Sequence, residues 1–74
     1  MGLAYRIQGF TDKAIEEFQA ALELQPNLVK VRYNLGRAYQ SKGMFKDARR
    51  EFEEVLRIDP GFSDARRALE SLSN

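Results

Sequence analysis

Seventy-four residues, 43% hydrophobic and 31% charged, allow one soluble domain at most, with a core that is marginal without close packing or a partner. A net charge of +1 offers no strong field towards nucleic acid or an anionic membrane. With no cysteine and no histidine, disulfides, thiolate nucleophiles, the commonest general base and the usual zinc ligands are excluded. No apolar run approaches the roughly 18 residues of a spanning helix, and the start lacks a signal peptide's apolar stretch. Gly2 follows Met1, but Arg6 stands where a myristoylation site wants Ser or Thr. The expectation is a soluble, cytoplasmic protein.

The predicted elements are all helices. Met1, Ala4 and Tyr5 form the tail of a first helix, which Gly9 ends. Thr11 is then a candidate N-cap for a second helix over 12–24. Residues 28–42 place Leu28, Val31, Leu35, Ala38 and Tyr39 on one face at three-to-four spacing, and Gly43 ends that helix in a left-handed turn. The next helix, 46–58, aligns Ala48, Phe52, Val55, Leu56 and Ile58, and Pro60 stops it. Residues 62–72 repeat the earlier pattern with Phe62, Ala65, Leu69 and Leu72. Five helices and no strands are expected.

These elements recur. Shifted by 34, the chain matches itself at 11 of 40 aligned pairs, including Gly2/Gly36, Tyr5/Tyr39, Gly9/Gly43, Ala14/Ala48, Phe18/Phe52, Leu22/Leu56 and Pro26/Pro60. Unrelated sequences would give roughly two or three. A period of this length means stacked helical units, each burying a face it cannot bury alone. Gly36 and Ala48 are small residues on the inward faces of adjacent helices, where Phe52 and Tyr39 are large, as interdigitation requires. The units run over 1–26 (truncated), 27–60 (complete) and 61–74 (a closing helix), with Glu70 where a glycine would recur.

Leu35-Gly36, Tyr39, Ala48, Phe52 and Pro60, and before them Gly2, Tyr5, Ala14, Phe18 and Pro26, resemble the tetratricopeptide (TPR) repeat signature. Arg32 and Arg66 depart from it where the family often has tryptophan, as does Val55 where it often has alanine. The resemblance implies an all-α solenoid, a right-handed stack of antiparallel helix pairs whose first helices line a concave groove. In that family the groove usually holds a peptide or a segment of another protein. Some members grip a C-terminal carboxylate through Lys, Asn and Arg. Asn34 matches the middle residue, but Asp64 and Ala68 stand where the clamp wants cations, so that clamp is not supported.

No constellation suits catalysis. Glu16, Glu17, Glu23, Glu51, Glu53 and Glu54 lie among Lys and Arg on outward faces, a pattern of solvated surface with weak pairs such as Glu53 with Arg57. Gly9 and Gly43 are isolated and form no phosphate loop. The pairs Arg49-Arg50 and Arg66-Arg67 have acidic neighbours and make no basic stripe. No enzyme, cofactor, metal, nucleic-acid or membrane role is expected.

The outward residues of 28–42 include Lys30, Tyr33, Arg37 and Gln40. Their 34-residue counterparts are Leu3 and Arg6 before, and Asp64, Arg67 and Ser71 after. Arg6, Lys30, Arg37 and Arg67 against Asp64 leave an excess of three positive charges, against +1 for the whole chain. The solvated side of amphipathic helices would look the same without any ligand. As a groove, the row suits an acidic or carboxylate-ended peptide, with arginine supplying charge-assisted bonds and Tyr33 a flat contact. The competing expectation is self-association, as a homo-oligomer, through Met1, Ala4 and Tyr5, or a place at the end of a longer array.

Overall fold

The computed structural model describes the backbone of residues 2–73 and the side chains of residues 9–72. Four helices follow one another: α1 (Gly2–Leu24), α2 (Val29–Ser41), α3 (Phe45–Ile58) and α4 (Ser63–Ser73). Each packs on its neighbours in the chain, α1 on α2, α2 on α3 and α3 on α4. No strand occurs among the described residues.

The expected break at Gly9 is absent. Residues 2–24 form one helix of 23 residues, about 35 Å long, and Thr11 lies inside it rather than capping it. Gly9 and Gly43 hold equivalent places in the repeat but differ in surroundings. At Gly43 φ is +79°, and the turn is closed by Gly43 N–H donating to Gln40 O (3.0 Å) and Met44 N–H to Tyr39 O (2.9 Å). That is the six-to-one and five-to-two pairing that satisfies a helix C-terminus. Around Gly9, a Cβ would meet nothing within 4 Å. Glycine permits a left-handed turn without compelling it, and a glycine inside a helix costs only about 1 kcal/mol relative to alanine.

The prolines act as expected. Leu28 N–H donates to Gln25 O (3.3 Å) and Phe62 N–H to Asp59 O (3.1 Å), closing four-residue turns with Pro26 and Pro60 at their second places. The arginines at the tryptophan positions brace those same turns. Arg32 Nη2 donates to Pro26 O at 2.9 Å, and Arg66 Nη2 to Pro60 O at 3.2 Å. Arg32 also pairs with Glu51 at 3.0 Å, with 18% and 14% of the two side chains exposed. Glu51 is therefore not the solvated carboxylate expected of it. Arg32→Ala should strip a half-buried carboxylate and a carbonyl of their partner and cost about 1–3 kcal/mol, read as a fall in the urea midpoint. Arg66→Ala, which removes the repeat of the carbonyl bond alone, should cost less.

Two apolar clusters make the core. One joins buried Ala48, Phe52, Val55 and Ala65 to half-buried Phe62, Leu69 and Leu72. The other joins Ile15, Leu22 and Leu35 to Phe18, Leu28 and Val31. Tyr39 packs against both, and its hydroxyl accepts from Gln19 Nε2 at 2.9 Å. The predicted small-against-large contact is present: a Cβ on Gly36 would lie 2.6 Å from Phe52 Cε1. Lys42, capping α2, forms an ion pair with Asp12 of α1.

Candidate functional site

Lys30, Tyr33, Arg37 and Gln40 recur every three to four residues along α2, so helical geometry sets them in one stripe. α4 presents Asp64, Arg67 and Ser71 at the matching register. Between the two helices lies an open concavity of about 370 Å³ lined by Tyr33, Arg37, Gln40, Asp64, Arg67, Ala68 and Ser71. The sequence rows thus meet in space, except at their ends. Lys30 is exposed and lies outside the lining. The side chains of Leu3 and Arg6, like those of Ala4 and Tyr5 and the whole of Met1, lie outside the described residues.

Tyr33, expected to offer a flat contact, also has inward neighbours. It is half-buried, with its ring tilted against Phe52 (centroids 5.6 Å apart) and Phe62 (5.4 Å). Spacing along α2 alone does not signal these neighbours, because Phe62 reaches across from the next turn. The hydroxyl remains useful. It accepts a 2.9 Å bond from Arg37 Nη1, whose guanidinium carbon is 5.9 Å from the ring centroid. Tyr33 therefore holds Arg37 in place at the lip of the concavity, and the other guanidinium N–H groups stay available for a carboxylate. Within the lining, Arg37 and Arg67 face one acidic residue, Asp64. The local excess is one positive charge, smaller than the row read from sequence.

Tyr33 and Arg37 form a ridge. On its other side a second open concavity, about 460 Å³, lies between α1 and α2 and is lined by Phe10, Thr11, Ala14, Asn34, Ala38 and Ser41 as well as the ridge residues. The sequence did not point to it, since an expected turn at Gly9 sets residues 2–8 apart from the helix that carries Phe10, Thr11 and Ala14. Away from both, on α3, Arg57 bonds Glu54 rather than the expected Glu53, with Nε donating to Oε1 at 2.8 Å. That hydrogen bond holds the Glu54 carboxyl below its ordinary range and raises the Arg57 guanidinium. Among the described residues no group of three His, Cys, Asp or Glu could hold a metal ion.

Residues 2–43 match the family described as TPR repeat, and residues 29–62 that described as tetratricopeptide repeat. The chain belongs to the TPR family. Across all 74 residues this TPR chain is 38% identical to the tetratricopeptide repeat domain-containing protein PYG7, chloroplastic, of Arabidopsis thaliana, covering 25% of that protein. Over 58 residues, 78% of the chain, it is 37% identical to the photosystem I assembly protein Ycf3 of Acaryochloris marina (strain MBIC 11017), covering 35% of it. Over another 58-residue match it is 28% identical to protein O-mannosyl-transferase F38B6.6 of Caenorhabditis elegans, covering 8% of that protein. The TPR chain thus spans between a twelfth and about a third of the length of these relatives. No helix among its described residues is long and apolar enough to cross a membrane.

Proposed function

We propose that the chain is a non-enzymatic interaction module that holds a segment of another protein in the concavity between α2 and α4 and serves protein assembly. The observation that carries this reading is Arg37, fixed by the Tyr33 hydroxyl at the edge of an open space shared with Arg67. A prepositioned guanidinium loses less entropy on binding than a free one. Arg37 and Arg67 would take an acidic side chain or a terminal carboxylate, Gln40 and Ser71 would bond peptide groups, and Lys30 and Arg6 would act at the rim. Asp64 would disfavour a run of acidic residues and favours a single one opposite the arginines. An assembly role is consistent with the relative named as a photosystem I assembly protein.

A random linear peptide library selected on the 74-residue chain should return sequences with an acidic residue or a required free C-terminus. The double change Arg37→Glu and Arg67→Glu should weaken the selected peptides by tenfold or more, since a charge-assisted bond is worth about 1.5–3 kcal/mol, while far-UV circular dichroism stays unchanged. Equal binding by the folded double variant, measured by fluorescence anisotropy, rules the groove out.

A further inference from the structure

The concavity between α1 and α2 has the form of a seat left empty. In the second unit, Arg37 and Gln40 of the segment 36–42 face Arg67, Ala68 and Ser71 of α4 across the smaller concavity. Thirty-four places earlier, Tyr33, Asn34 and Arg37 line the larger one. By the same register, the segment that belongs there is 2–8, the counterpart of 36–42. The burial of the repeated core residues agrees. Ala48 and Phe52 are fully buried under α2, whereas their counterparts Ala14 and Phe18 are only half-buried. Phe10, at the mouth of the seat, is 69% exposed.

The chain's own segment does not fill that seat, because the straight helix through Gly9 carries Gly2 about 10 Å further along the axis of α1. We infer that two copies exchange these segments: residues 2–9 of each chain dock between α1 and α2 of the other, so that neither seat is complete without the second copy. The occupant is identified by the repeat itself. Gly2 would meet the ring of Phe18 as Gly36 meets that of Phe52, in a contact with no room for a side chain. Gly9 would stay helical, in contrast to Gly43 at φ +79°. The seat shares Tyr33 and Arg37 with the peptide groove but is otherwise a separate surface, so either can fail without the other.

Sedimentation equilibrium on the 74-residue chain, paired with isotope-filtered NOE spectra of a mixed labelled and unlabelled sample, tests the exchange. The expected result is a concentration-dependent dimer with an intermolecular NOE between the Gly2 α-protons and the Phe18 ring. Gly2→Leu should weaken dimerisation by tenfold or more without lowering helix content. Gly9→Ala, which favours a helix over a left-handed turn, should leave the dimer intact or tighter. A monomer at every concentration overturns the inference. So does a dimer whose Gly2–Phe18 NOE is purely intramolecular, since each segment would then have folded back onto its own chain. A dimer indifferent to Gly2→Leu, or one abolished by Gly9→Ala, overturns it as well.

Discussion

Phe52→Ala is expected to remove most of the chain's stability and bring it to the edge of unfolding at 25 °C. Phe52 has no exposed surface, touches the backbone of α2 at Gly36 and stacks its ring at a tilt on Tyr33, so it joins α2 to α3 at the centre of the larger cluster. Truncating a buried phenylalanine costs about 3–5 kcal/mol, because the cavity collapses only partly. A chain of this size has about 4–11 kcal/mol in all, and small single cores sit at the lower end of that range. The loss therefore approaches the whole. Phe18→Ala, at the equivalent but half-buried position, should cost clearly less. Urea titrations followed at 222 nm compare the two. A Phe52 variant at least as stable as the Phe18 variant would contradict a core centred on Phe52.

Gly36→Leu should be nearly as damaging, for the opposite reason. An added Cβ would lie 2.6, 2.9 and 3.0 Å from Cε1, Cδ1 and Cζ of Phe52, and that ring is enclosed on every side. Overpacking a filled core costs about 1–3 kcal/mol, and leucine falls at the upper end because its branch extends past the clash. Gly36→Ala makes the sign informative. Helix propensity alone would gain about 1 kcal/mol, yet the contact with the ring should outweigh it and leave a net loss. At Gly9, where nothing lies within 4 Å, the same glycine-to-alanine change should show only the gain. Thermal melts of the two alanine variants are expected to shift in opposite directions.

Much of this architecture was legible in the residues, and the exceptions have physical causes. The 34-residue register located Phe52, Ala48 and Gly36 because close packing demands the same small and large residues at each stacked interface. Pro26, Pro60 and Gly43 marked real boundaries because a missing N–H and a left-handed turn leave few alternatives. Gly9 misled because glycine tolerates both a turn and a helix, and the choice belongs to packing that periodicity does not encode. Five expected helices became four for that reason. Helical spacing puts Tyr33 on the outward side of α2, but a large ring there can still reach Phe52 on α3 and Phe62 in the turn before α4. Arg32 and Glu51 were the least legible. An arginine in a tryptophan's place looks like a mere departure until the Pro26 carbonyl and the carboxylate of α3 are seen beside it.

The concave face of α2 and α4 is tested most directly by a ¹⁵N-HSQC titration of the labelled chain with a peptide selected on it. The backbone amides of Tyr33, Arg37, Gln40, Arg67 and Ser71 are expected to move together and saturate with one affinity, while those of the Glu54–Arg57 face of α3 stay still. Shifts confined to α3, or spread along α1 with Arg37 and Arg67 silent, would contradict the groove.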